Sequence, residues 1–179
     1  MFDKRAKPQI VAEGKYLRFV KKAGWEYVQR NNCTGIVIIF AMSDDGKVVF
    51  TEQYRPPVNC RVIENAAGLV NDQSKKESFS TAARRELLEE TGYKAKKMVQ
   101  IVHGPVSGGL TSDLVYIFLA KGLKKISNGG GDHTENIKVH EIPLKQVPQW
   151  LRQKEKEGCL VDPKVYAGLY FFSCFWDGF

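Results

Sequence analysis

The seven residues Ile36-Val37-Ile38-Ile39-Phe40-Ala41-Met42 form the longest apolar run in the chain. A run of that length is a buried strand and is far too short to span a bilayer. It lies in TGIVIIFAMSDDGKVVFTEQYR (34–55), where Asp44-Asp45-Gly46 supplies residues that tolerate positive φ, so the segment reads as a β-hairpin. A second hairpin is predicted over 15–31 around KKAG, and a short strand over 61–68. One strong helix spans about 79–91, with Ser78 or Ser80 as its N-cap and Gly92 just past its end. Further strands are predicted near 97–104, 112–120 and 136–142, and helical patterns at 144–158 and 163–176. Pro148 belongs in the first turn of the former, where its missing N–H costs least, so that helix starts near Val147. The Gly-rich stretch 127–136 reads as a surface loop. The expected fold is α+β, a mixed sheet between helices. The 179 residues suffice for one core, with 1–33 as a β-hairpin extension and 34–179 as the main domain.

Composition narrows the function classes. The net charge of +7 is spread as short lysine pairs, without an arginine-rich or aromatic-interleaved tract, which disfavours a dedicated nucleic-acid binder. No apolar segment follows Met1-Phe2-Asp3-Lys4-Arg5, so neither signal peptide nor membrane anchor is expected. Cys33, Cys60, Cys159 and Cys174 are scattered and match neither a zinc site nor a disulfide framework. Reduced thiols in a cytoplasm are the simplest reading.

RRELLEETGY (84–93) gathers Glu86, Glu89 and Glu90 on the predicted central helix. At about 100° per residue, all three fall on one face roughly 100° wide. Like charges at that spacing repel, and a hard divalent cation such as Mg²⁺ removes the repulsion while taking oxygen ligands. A solvated acidic face is the alternative. Arg85 lies four residues before Glu89, placed to hold its rotamer.

The wider spacing is Glu77, seven residues, Arg85-Glu86-Leu87, one residue, Glu89-Glu90, one residue, Gly92-Tyr93. This resembles the signature of the Nudix hydrolases. The signature's glycine corresponds to Gly68, but eight residues rather than five separate it from Glu77, an apparent insertion of three. The resemblance implies an α/β/α sandwich and hydrolysis of a nucleoside diphosphate linked to another group. It implies that Ala67 (through its carbonyl), Glu86, Glu89 and Glu90 hold Mg²⁺, with Mn²⁺ as substitute, and that Glu77 and Arg85 brace the loop against the helix. Glu89 is either a ligand or a water-positioning carboxylate.

WEYVQR (25–30), EQYRPPV (52–58), ENAAGLV (64–70), SGGLTSD (107–113) and ENIKVHEIPL (135–144) resemble the branch of ADP-ribose pyrophosphatases and nucleoside-diphosphate-sugar hydrolases. Ser107-Gly108-Gly109 departs from that branch's Ser-Pro-Gly. The resemblance implies that Arg55 grips the diphosphate, rather than being an exposed strand-end charge. Trp25 stacks on the base or is an edge-strand residue, with Tyr27 and Arg30 as weaker versions of the same idea. Asp113 lines the sugar pocket. Glu135 is the expected base for the attacking water, with His133 as competitor; His103 and His140 look structural. The implied assembly is a homodimer that shares its N-terminal hairpin, and no nicotinamide, flavin or haem is implied. Competing readings are an enzyme for RNA 5′ ends or dinucleoside polyphosphates, and a nucleotide-sugar sensor without catalysis.

Overall fold

A computed structural model describes residues 5–72, 76–131 and 136–175. The run at 36–42 is central because both of its faces are buried. In strand β4 (Gly35–Met42), Val37, Ile39 and Ala41 face one apolar cluster, and Ile38, Phe40 and Met42 face the other. Side chains alternate across a strand, so a continuous apolar run demands a layer on each side. Helix α1 (Phe79–Thr91) covers the first cluster with Ala82, Ala83 and Leu87. Helices α2 (Val147–Lys156) and α3 (Pro163–Phe175) cover the second with Val147, Leu151, Val165 and Phe172. α3 comes close: a Cβ on Gly168 would stand 2.9 Å from Phe40 Cδ1.

The remaining strands are β1 (Gln9–Glu13), β2 (Leu17–Lys22), β3 (Trp25–Arg30), β5 (Lys47–Arg55), β6 (Cys60–Glu64), β7 (Ala66–Val70), β8 (Tyr93–Pro105), β9 (Leu114–Lys125), β10 (Lys138–Pro143) and β11 (Leu160–Val161). β1-β2-β3 form a separate antiparallel sheet. The main sheet runs β11-β6-β5-β4-β9-β8, with β10 on β5 and β7 on β4. It is mixed, since β4–β9 and β6–β11 are parallel.

The hairpin of 34–55 opens beyond its turn: β4 and β5 pair only at Ala41↔Val49 and Met42↔Val48. The predicted strand at 61–68 is two pieces bent at Asn65. β6 lies along β5, and β7 then takes the rest of β4, from Ile39↔Ala66 to Gly35↔Val70. The bent strand fills the gap that the diverging hairpin leaves. β8 begins directly at Tyr93, because Gly92 ends α1 at φ 76 and redirects the chain. β1 and β11 were not expected: β1 is exposed throughout and β11 has two residues, so neither carries a periodic apolar signal.

The N-terminal sheet joins the rest through β3. Val28 N–H donates to Leu110 O at 2.9 Å, Ser112 N–H donates to Val28 O at 3.1 Å, and Arg30 pairs with Asp113 at 3.2 Å.

Candidate active site

The site forms where α1 crosses the free edge of β7. Ser78 accepts a hydrogen bond from Thr81 N–H and starts the helix, as an N-cap should. The stripe of Ala82, Ala83 and Leu87 seats the helix on the sheet, which points the neighbouring acidic positions at the strand edge. Glu86 and Glu90 are buried, with 9% and 3% of their surface exposed. Burying carboxylates is costly unless they are matched by charge or hydrogen bonds.

Glu86 lies against Gly68. A Cβ there would stand 1.9 Å from Glu86 Cδ and 2.0 Å from Oε1, so only glycine leaves the carboxylate its place. Burial pushes the Glu86 pKa up to about 7, against the opposing pull of Arg85. Glu90 Oε2 accepts a hydrogen bond from Ala67 N–H at 3.3 Å. In a strand, the N–H and C=O of one residue leave the same edge. The Ala67 carbonyl therefore also leaves β7 on the side away from β4.

Arg85 organises the rest. Its guanidinium holds both oxygens of Glu77, with Nε–Oε1 at 3.0 Å and Nη2–Oε2 at 3.2 Å. Nη2 also donates to the Leu69 carbonyl at 3.2 Å, and Asp72 lies 3.6 Å away. Nη1 stands between Glu86 Oε1 at 2.7 Å and Glu89 Oε2 at 3.0 Å. The Glu77 hydrogen bond, reinforced by the other carboxylates, raises the Arg85 pKa, so the cation is permanent. Arg85 thus ties strand β7, the loop after it and two further positions of α1 to one group.

The three helix glutamates do not converge on one point. Glu86 packs on Gly68, Glu90 turns to Ala67, and the Glu89 side chain is 43% exposed beside Arg85. Among the described residues, no three His, Cys, Asp or Glu side chains gather closely enough to chelate an ion. The donor set nevertheless fits a hard divalent cation. It is all oxygen, two of the carboxylates are buried, and a positive nitrogen already stands between Glu86 and Glu89.

The other predicted residues that the structure describes sit on β3, on β5 and just before β9. Arg55 holds Glu64 through Nε at 2.8 Å and Nη2 at 3.2 Å, across the β5–β6 pair. Trp25, 48% exposed, and Tyr27 lie on β3, whereas α1 packs on β4, β5, β7, β8 and β9. Arg30 and Asp113 pair with each other and line a small cavity of about 190 Å³. Arg30 also borders a wider groove of about 850 Å³ that reaches Asn71 and Asp72. Glu135 and His133 lie outside the described residues. His103 stacks on Tyr116, and His140 hydrogen-bonds Glu52.

Sequence reasoning did not single out Asn71, Asp72 or Glu64. Asn71, at φ 67, accepts from Glu77 N–H at 2.9 Å and donates to Thr34 Oγ1 at 2.8 Å. An Asn-Asp pair after a strand marks a turn residue that tolerates this φ, and that was the signal available.

A NUDIX domain model matches residues 33–161. A methanol dehydrogenase activator of Bacillus methanolicus is 33% identical over 121 residues, covering 67% of this chain and 64% of that protein. An ADP-ribose pyrophosphatase of Bacillus subtilis (strain 168) is 33% identical over 122 residues, covering 68% and 64%. The chain thus spans 64% of the length of these two relatives. A GDP-mannose pyrophosphatase of Yersinia pestis is 30% identical over 156 residues, covering 82% of this chain and 76% of that protein. A solved structure described as an ADP compounds hydrolase shares the fold, with TM-score 0.72, 19% identity, and 98% and 96% of the two chains covered. With the signature residues gathered on α1 and the domain matched over most of the chain, the protein belongs to the Nudix family.

Proposed function

We propose that the chain hydrolyses the pyrophosphate bond of a nucleoside diphosphate sugar, releasing a nucleoside monophosphate and a sugar phosphate. The observation that carries this is the buried Glu86 carboxylate lodged against Gly68, with Arg85 between it and Glu89. Buried carboxylates held in place by a fixed guanidinium support a site that keeps a divalent cation against the diphosphate. The relatives named for ADP-ribose and GDP-mannose suggest the substrate class.

Glu86, Glu90 and the Ala67 carbonyl, with Glu89, are the oxygens that would hold Mg²⁺ or Mn²⁺. When bound, such an ion neutralises the diphosphate and activates water. The chain's own residues do the rest. Arg85 fixes Glu86 and Glu89 in position through Nη1 and anchors itself on Glu77. Arg55, held in plane by Glu64, keeps its remaining nitrogen for a diphosphate oxygen, a geometry that suits guanidinium better than ammonium. Glu135 is the proposed base. Trp25, Tyr27, Arg30 and Asp113 are proposed for the nucleoside and sugar; of these, Arg30 and Asp113 line one small cavity together.

We also propose a homodimer, with residues 1–33 as the shared arm, and a cytoplasmic setting. Ile10, Val11 and Trp25 leave about half their surface exposed on the N-terminal sheet, and the four cysteines are unpaired. No helix among the described residues is long and apolar enough to cross a membrane.

The test is a product screen. Purified protein and Mg²⁺ are incubated with ADP-ribose, GDP-mannose, UDP-glucose, a dinucleoside polyphosphate and triphosphate-ended RNA, and nucleoside monophosphate is followed by chromatography. Cleavage confined to the nucleotide sugars is the expected result. Raised thermal stability with ADP-ribose but no cleavage of any substrate would overturn the catalytic reading.

A further inference from the structure

An α-helix leaves its last four carbonyls without intrahelical partners. In α1 these belong to Leu88, Glu89, Glu90 and Thr91. Gly92 N–H takes the Leu88 carbonyl. The next two are taken by a distant segment, the glycine run after β9. Gly130 N–H donates to the Glu90 carbonyl at 2.9 Å, and Gly131 N–H donates to the Glu89 carbonyl at 3.1 Å. Ile126 and Ser127 N–H donate to the Gly92 carbonyl at 2.8 and 3.2 Å.

The two backbones touch with no side chain between them. A Cβ on Gly129 would stand 2.5 Å from both Glu90 O and Thr91 C. A Cβ on Gly92 would stand 2.0 Å from Ser127 O. Each glycine also has positive φ, +66° and +76°. The segment therefore meets the helix end through its backbone alone, in register with two of the acidic residues.

We propose that Gly129, Gly130 and Gly131 form a backbone clamp on the acidic end of α1, and that Gly129 is a positioning residue for the divalent-cation site. This rests on the reading of Glu86, Glu89 and Glu90 as cation-holding residues. Helix ends fray, and loss of the last turn would move Glu89 and Glu90 together. The clamp holds that turn from one side while Ala67 N–H holds the Glu90 carboxylate from the other. Its two N–H groups also offset the negative end of the helix dipole where the carboxylates add their own charge.

Gly129→Ala tests the clamp against Gly46→Ala. Gly46 has φ +77° with nothing within 4 Å of an added Cβ, so that variant isolates backbone strain from collision. Mn²⁺ affinity is read by electron paramagnetic resonance, and kcat and KM with ADP-ribose or GDP-mannose. Gly129→Ala is expected to weaken Mn²⁺ binding by about 10-fold or more, the scale seen for groups that orient metal ligands. kcat should fall with it while KM holds, and Gly46→Ala should leave all three unchanged. Wild-type Mn²⁺ affinity and kcat in Gly129→Ala would overturn the proposal. Should that variant not fold, amide hydrogen exchange of the wild-type protein decides. Gly130 and Gly131 amides as slow as those of α1 support the clamp, and exchange at free-loop rates overturns it. A wild-type protein that neither binds Mn²⁺ nor cleaves a nucleotide sugar would sink the proposed function, and the exchange rates would still judge the clamp.

Discussion

A single methyl group at position 68 would displace the Glu86 carboxylate, since its Cδ lies 1.9 Å from where that carbon would sit. Gly68→Ala should therefore lower kcat/KM by about 10- to 100-fold with an unchanged circular-dichroism spectrum. Asn65 poses the opposite case. It is 5% exposed, and among the described residues neither its Oδ1 nor its Nδ2 has a hydrogen-bond partner. An unsatisfied buried group costs about 1–3 kcal/mol. Asn65→Leu should thus stabilise the protein by about 1 kcal/mol in urea unfolding, and a loss of stability would show that the amide has a partner in solution. At this scale the sequence was legible where chemistry is local. Gly92 and the choice of Ser78 or Ser80 as N-cap follow from rules that span a few residues, whereas the Glu77–Arg85 brace came from the resemblance to the family signature. Glu64 beneath Arg55 was not legible, because that pairing depends on the β5–β6 register.

Among the elements, α1 was readable in extent, about 79–91, since capping and an apolar stripe agree over its length, although its N-cap stayed open between Ser78 and Ser80. Ser78→Ala removes the cap and should cost about 1 kcal/mol, measured as a lower urea midpoint. The parting of β4 from β5 was not readable, because nothing within 34–55 says that a later strand will wedge between them. A second long-range tie joins β5, β6, β10 and α2. Glu52 accepts from Arg61 at 2.6 Å and meets His140 at 2.8 Å and Lys154 at 3.1 Å. Burial alone would raise the Glu52 pKa, but hydrogen bonds from Arg61, His140 and Lys154 outweigh it and hold it at about 2, below the ordinary 4.5. A depressed acid pKa gives stability that is present above pH 4.5 and is lost as pH falls toward 2. His140 is pushed below 6.5, mainly by burial against the pull of Glu52, so its protonation also opposes folding as pH falls. Glu52→Gln should flatten the acid dependence of the urea midpoint between pH 4.5 and 2. An unaltered acid limb would remove the network from the account.

For the whole molecule, a mixed sheet between helices was readable from the mix of strand and helix patterns, and the apolar run at 36–42 explains why both faces of β4 need cover. The separate N-terminal sheet followed only in part. Its β2–β3 hairpin was readable, but β1 is exposed on every residue and carries no burial pattern. An open, apolar edge invites pairing with another chain. Val11→Lys should leave the chain folded and shift its sedimentation from twice the chain mass toward the single mass. A monomeric wild-type protein would remove the proposed homodimer.

β7 has a further consequence. Gly68 reached Glu86 although the stretch between Gly68 and Glu77 is three residues longer than the signature allows. Pairing with β4 fixes the strand on one side of that stretch, packing fixes the helix on the other, and Arg85 ties Asp72 and Glu77, near the two ends of the stretch, to the helix. Lengthening a loop costs only about 0.6 kcal/mol per doubling. Between those braced ends the length of the chain is thus only weakly constrained by the cost of folding.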